Sequence, residues 1–220
     1  MFGNPVTNPR NWDIVSLEQL CRKITDGTHI TPTYVSNGIP FVTVRNIVDG
    51  KLDLSLKDTK FISPQEHLYL TERSRPERND VLVSKDGTIG VPCVVDTDEI
   101  FSIFVSVALL KLKTDIIDPY FLTAQFNSDW VQRQIKAGIK GIAIRHLHLS
   151  DFKRLQIVLP PLNRQKDFTR RIHFIDGVRQ KLTSHLEQLE TLFHSIQQRA
   201  FNGELFAEKV ASTSQLSFAD

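Results

Sequence analysis

From Phe168 onward the apolar positions step by four and three in strict alternation: Phe168, Ile172, Ile175, Arg179, Leu182, Leu186, Leu189, Phe193, Ile196, Ala200. Two interleaved sets result. One is Phe168, Ile175, Leu182, Leu189 and Ile196; the other is Ile172, Arg179, Leu186, Phe193 and Ala200. Each repeats every heptad, a spacing that a strand does not produce. The positions between are mostly polar, and the only internal helix breaker is Gly177, worth of order 1 kcal/mol against a helix. The pattern predicts a helix from about Asn163 to Ala200, roughly 55–60 Å long at 1.5 Å per residue. A stripe this narrow and this long needs a second helix to cover it. Arg179 is the charged position on the seam. It is expected to fix register by meeting Glu187 or Glu190 of a partner helix rather than to add stability.

The preceding part of the chain is patterned differently. Trp12 to Val15 alternates like a strand. Ser16-Leu17-Glu18-Gln19 is a capping box, predicting a short helix through Cys21 that Gly27 stops. A polar loop from Thr28 to Gly38 follows. Ile39–Val44 and Lys60–Ile62 read as strands, with Arg45 and Asn46 just past the end of the first. Ser63-Pro64-Gln65-Glu66 is a second capping box, with proline at the first helical position. β-branched runs at 80–84, 91–95, 100–104 and 106–113 predict strands around a Lys85–Gly90 turn. One helix is expected from Asp118-Pro119 through Trp130 to Ile135. After it come a glycine-bracketed loop, an apolar run at 142–144, a capped turn at Ser150-Asp151 and a last strand at 155–159. Pro160-Pro161 then ends the domain. The expectation is an α+β fold: a mixed globular domain over 1–161, one long coiled-coil-type helix over 162–203, and a disordered tail over 204–220.

Composition adds limits. The 220 residues carry a net charge of +2, so any nucleic-acid surface must be a local patch. The two cysteines, Cys21 and Cys93, match no metal or redox spacing and read as reduced core thiols. No apolar run approaches the length of a membrane span, and the N-terminus lacks a signal-peptide core, so a cytoplasmic protein is expected. P-loop, dinucleotide and zincin motifs are absent. So is the Asn/Asp-Pro-Pro-aromatic motif of amino-methyltransferases. His146 and His148 form an H-x-H, which supplies too few ligands for a metal. Asp80, Asp86 and Glu77 near Lys85 lack nuclease spacing and read as a charged hairpin surface. The sequence argues for no catalysis, no metal and no cofactor.

Four stretches, taken in order, resemble one family. They are Trp12…Leu17…Leu20 leading to Thr25-Asp26-Gly27-Thr28-His29-Ile30-Thr31-Pro32; Gly38-Ile39-Pro40-Phe41-Val42 with Val44-Arg45-Asn46-Ile47; Asn79 through Gly90; and Leu155 through Gln165, closing with Leu192 through Leu205. The pattern is similar to the DNA-specificity subunit of type I restriction-modification systems. Those subunits usually carry two recognition domains and two long helices in one chain, so this sequence resembles a half-length form. The acid that normally precedes the glutamine of the Pro-Pro-Leu motif is Arg164 here, which removes a carboxylate favourable to the helix dipole.

The resemblance implies a non-catalytic subunit with several partners: double-stranded DNA, a modification methyltransferase that alone holds S-adenosylmethionine, and, through the complex, a restriction subunit. It also implies a homodimer through antiparallel long helices, formed along Phe168, Ile172, Ile175, Arg179, Leu182, Leu186, Leu189, Phe193 and Ile196. Candidate DNA contacts are the polar loop residues Thr28, His29, Thr31, Arg45, Asn46, Lys85, Lys140, Arg145 and His146. Arginine bonds guanine and asparagine adenine bidentately. Lys136, Lys140 and Lys153 are placed against phosphates. The competing expectation is a coiled-coil assembly adaptor whose globular domain binds protein; an apolar rather than basic loop face would favour it.

Overall fold

The computed structural model describes residues 1–3, 5–139 and 147–205. Lys140, Arg145 and His146, the apolar run at 142–144 and nearly all of the tail lie outside them.

The chain opens with β1 (Asp13–Ser16), α1 (Leu17–Leu20), β2 (Cys21–Asp26), β3 (Tyr34–Val35) and β4 (Ile39–Val42). A 3-10 turn (Val44–Asn46) leads to the hairpin β5 (Ile47–Val48) and β6 (Lys51–Leu52), then β7 (Lys60–Ile62) and α2 (Pro64–Thr71). β8 (Val81–Ser84), β9 (Pro92–Val94), β10 (Ser102–Ile103) and β11 (Val107–Leu112) fill the middle. α3 (Pro119–Phe126), α4 (Asp129–Gly138), α5 (Leu149–Arg154), β12 (Gln156–Leu159) and α6 (Leu162–Phe201) complete it. The fold is α+β, and it ends in the long helix that the heptad spacing predicts.

An antiparallel sheet in the order β2-β11-β8-β9 forms the centre. Successive strand residues point to opposite faces, and here both faces are covered. Val81, Val83, Ala108, Leu110 and Leu112 enter one apolar cluster with α1, α3, α4 and α5 residues such as Leu17, Phe121, Val131 and Phe152. Leu82, Val107 and Leu109 enter a second cluster with Val42, Phe101 and Ile103. This explains why β8 and β11 read as unbroken apolar runs rather than as alternating ones. A second sheet, β10-β4-β7-β3, lies on the side of the second cluster and pairs β10 parallel to β4. β1 and β12 close the domain as an antiparallel pair.

Two predicted helices come out differently. The capping box at Ser16 forms, but α1 ends at Leu20, and Cys21–Asp26 is a strand. Gly27 therefore ends a strand, not a helix. A Cβ on it would lie 2.0 Å from the Ile103 carbonyl oxygen, so its lack of a side chain lets two backbones touch. The helix expected from 118 to 135 is two helices. Asn127 ends α3, and Ser128 restarts the chain as the N-cap of α4, its hydroxyl accepting from Val131 N at 3.4 Å. The Ser150-Asp151 turn is the start of α5, which spans Leu149–Arg154.

The compact globular unit runs from Met1 to Arg170, so it takes in the first turns of α6. Gln165, the glutamine of the Pro-Pro-Leu motif, is fully buried. It accepts from Asp118 N at 2.9 Å and donates to the carbonyls of Ile116 at 3.0 Å and Pro160 at 2.8 Å. Thr169 Oγ1 donates to Asp118 Oδ1 at 2.7 Å, and the same oxygen caps α3 through Phe121 N at 3.0 Å. Phe168 packs edge-on with Phe2 and Phe121 at centroid separations of 5.6 and 5.9 Å. It is partly buried and packs against its own domain's core.

Candidate nucleic-acid interface

Asp26 is the last residue of β2 and is 2% exposed. A lone carboxylate at that depth is costly unless paired. Lys85 Nζ, itself buried, donates to Oδ2. Arg73 Nη2 donates to Oδ1 at 2.6 Å, and His29 Nε2 lies 3.3 Å from that oxygen. Burial alone would lift the Asp26 carboxyl, but the hydrogen bonds from Lys85 and Arg73 outweigh it and hold the group below the usual carboxylate range.

The cluster joins distant segments. Lys85 N donates to Ser106 O at 2.8 Å, and Lys85 O accepts from Leu147 N at 3.2 Å. Asp26 therefore sits where the β2 loop, the loop after α2, the β8–β9 turn and the start of α5 meet. A cavity of about 490 Å³ opens there, lined among others by Asp26, His29, Arg73, Lys85, Asp86 and His148. A neighbouring one of about 420 Å³ is lined by Thr28, His29, Ile30, Tyr69, Leu70, Glu72 and Arg73. On the other flank of the β8–β9 turn lies a cleft of about 760 Å³, with Arg45, Asp49, Gly50, Ser84, Gly87 and Thr88 on its walls. The turn itself is held by Ser84. Its hydroxyl donates to Thr88 O and accepts from Val91 N at 2.9 Å.

The expected DNA contacts divide into three groups. His29, Thr31 and Arg45 are exposed on these loops. Thr28, Asn46 and Lys85 are buried and are spent on the fold. Thr28 Oγ1 bonds both the N–H and the carbonyl of Ile30 at 3.1 Å. Asn46 accepts from Thr43 N at 3.0 Å and donates to Asp53 O at 3.1 Å and Thr59 Oγ1 at 2.8 Å. The chain curls into a 3-10 turn just there and aims the amide inward, so Asn46 offers no free edge to a base. Lys85 is a clamp on Asp26 rather than a loop-tip cation. Lys140, Arg145 and His146 fall outside the described residues. Lys153, expected on a phosphate, pairs with Glu18 at 3.0 Å. Asp26 and Arg73 are not among the contacts the sequence leads one to expect. Asp26 does stand in the Thr25–Pro32 stretch that carries the family resemblance, but the local sequence, Lys-Ile-Thr-Asp-Gly-Thr, does not disclose that the carboxylate is buried.

Both cysteine thiols are buried and pushed up to about 12, chiefly by that burial. Among the described residues no three His, Cys, Asp or Glu side chains gather as metal ligands, and no helix there is long and apolar enough to cross a membrane. The helical residues from Arg171 onward carry a bare apolar stripe: Ile175, Leu182, Leu186, Leu189, Phe193 and Ile196 are between 45% and 63% exposed. Arg179 meets Asp176 of its own helix at 3.8 Å.

Polar loops gather at a buried ionic cluster on a sheet with two covered faces, and the domain is followed by a long helix with an exposed apolar stripe. The family model for the type I restriction modification DNA specificity domain matches residues 9–191, and the chain belongs to that family. The type I restriction enzyme EcoBI specificity subunit of Escherichia coli is 30% identical over 178 residues, covering 79% of this chain and 37% of that protein. The MjaVIII specificity subunit of Methanocaldococcus jannaschii is 21% identical over 203 residues, covering 90% and 47%. The chain thus spans less than half the length of either relative. Among solved structures, the HsdS subunit from Thermoanaerobacter tengcongensis superposes with a TM-score of 0.59 at 17% identity, over 96% of this chain and 53% of that one. The S subunit from M. genitalium gives 0.56 at 18%, over 87% and 46%. At these identities the superpositions establish the shared fold.

Proposed function

We propose that the chain recognises a specific DNA sequence and directs a type I modification subunit, and through it a restriction subunit, to a bipartite site. The observation that carries this reading is the family match, which runs across the whole central sheet, its loops and most of α6. The loops support it: His29, Thr31 and Arg45 are exposed and polar, and Arg45 sits on a 3-10 turn. In this reading the chain is not catalytic and holds no cofactor; S-adenosylmethionine belongs to the modification partner. Two copies pair through antiparallel α6 helices, which covers the bare stripe and sets two recognition domains about a two-fold axis. The cytoplasm is the compartment in which such a complex meets DNA.

The test is methylome sequencing of a strain carrying this gene and its modification partner, against the same strain without this gene. A new bipartite methylated motif is the expected result. A methylation pattern that does not change between the two strains sinks the reading. The adaptor alternative, in which the globular unit binds protein, predicts that unchanged pattern.

A further inference from the structure

Asp26 has more positive partners than its single charge needs. Lys85 alone satisfies it in the interior. Arg73 approaches from the surface, with its side chain 54% exposed. The arginine spends one N–H of a guanidinium that has five on Asp26 Oδ1 at 2.6 Å, and the described residues give it no second acceptor. Its backbone is fixed as well: Arg73 N donates to Leu70 O at 3.3 Å, and Arg73 O accepts from Lys23 Nζ at 2.6 Å. A long side chain pinned at both ends has lost most of the rotamer entropy that binding normally costs. Arg73 lines both of the cavities beside His29. Each also carries a carboxylate, Asp86 in one and Glu72 in the other. Those charges repel an anionic phosphate more strongly than the neutral edge of a base.

We propose that Arg73 is a specificity-determining residue, donating from the outer edge of its guanidinium to the O6 and N7 of a guanine in the major groove, with Asp26 as the positioning residue that fixes its plane. The proposal rests on the DNA-recognition reading above. A planar fork aimed at two acceptors is the commonest specific contact to guanine, and a buttressing carboxylate supplies the aim.

The test is selection from a randomised duplex DNA library by the full chain, its Arg73→Lys variant and its Asp26→Asn variant. Lysine keeps the charge and loses the fork. The wild type is expected to enrich a motif with guanine at a defined position. Arg73→Lys should lose preference at that position alone, by roughly ten- to a hundred-fold, while the salt dependence of binding stays as it was. Asp26→Asn should relax the same position and leave the others, a selective effect that general destabilisation does not give. Should Asp26→Asn fail to fold, Arg73→Lys still decides, since its side chain is at the surface. An Arg73→Lys motif identical to the wild type overturns the proposal, as does a uniform loss across all sequences, which marks a phosphate contact. If the wild type enriches nothing, the recognition reading falls with it.

Discussion

Two adjacent residues show how far a side chain's role depends on the turn that holds it. Arg45 and Asn46 follow the same strand in the same motif, yet one is exposed and the other is 3% exposed with its amide fully used. The sequence places both past the end of β4 but does not disclose a 3-10 turn that rotates one inward. Replacing Asn46 by alanine leaves three partners without that bond, of which the Thr59 hydroxyl is buried, at about 1–3 kcal/mol for a buried group left unpaired. Chemical denaturation should register that loss, whereas the DNA sequence preference of the folded fraction should be unchanged. A relaxed preference at one base would restore Asn46 as a reader.

Asp26 gives the residue scale its pH dependence. Its folded value is held below that of the unfolded chain, which is about 3.9. The pairing therefore stabilises the fold above that value and is lost as the pH falls through the folded one. Asp26→Asn strands Lys85, and breaking a buried pair from one side costs about 3–5 kcal/mol. The gap in unfolding free energy between wild type and variant should be widest near neutrality and narrow steadily below about pH 4. A gap independent of pH would mean that the ion pair is not what the substitution removes.

At the scale of elements, local signals found the long helix and most strands but missed the two-residue strands β3, β5 and β6 and the longer β2. Its sequence, Cys-Arg-Lys-Ile-Thr-Asp, follows a genuine capping box and carries two exposed charges. What makes it a strand is pairing with β11, from Asp26 opposite Ala108 to Cys21 opposite Leu112, a contact that no window of neighbouring residues contains. Gly27 marks where that pairing stops. Gly27→Ala forces its Cβ against the Ile103 carbonyl, and the strain should lower the melting temperature measurably. A neutral result would show that the two backbones can separate. The seam of α6 was legible for the opposite reason, since a heptad is entirely local. Its first member, Phe168, also packs against Phe2 and Phe121, contacts from distant segments that the heptad does not disclose. Leu186→Glu puts a charge in the middle of the exposed stripe. If the stripe pairs two copies, light scattering at tens of micromolar should report a dimer for the wild type and a monomer for the variant, with the globular unit still folded. A wild-type monomer would count against pairing.

For the whole molecule, net charge and symmetry set the expectations. A formal charge of +2 allows only a handful of phosphate contacts. A log–log salt slope of roughly −3 to −6 is expected at about 0.9 per phosphate; a slope near −10 would call for about twice as many phosphate contacts. If two copies pair about a two-fold axis, they present identical readers in inverted orientation, so the modified site should be an interrupted palindrome. An asymmetric site in the methylome would refute the two-fold arrangement.

The ionic cluster at Asp26 also bears on how specificity can be transplanted. Its members are numbered 26, 29, 73 and 85, so a single contiguous graft shorter than about sixty residues cannot carry them all. Exchanging the segment of Asp26 without that of Lys85, for one from a relative that lacks the pair, leaves a bare charge in the interior, and losing the Arg73 segment removes the outer partner. New specificities built on this scaffold should therefore work only when the three segments are exchanged together, as one inherited unit scattered along the chain.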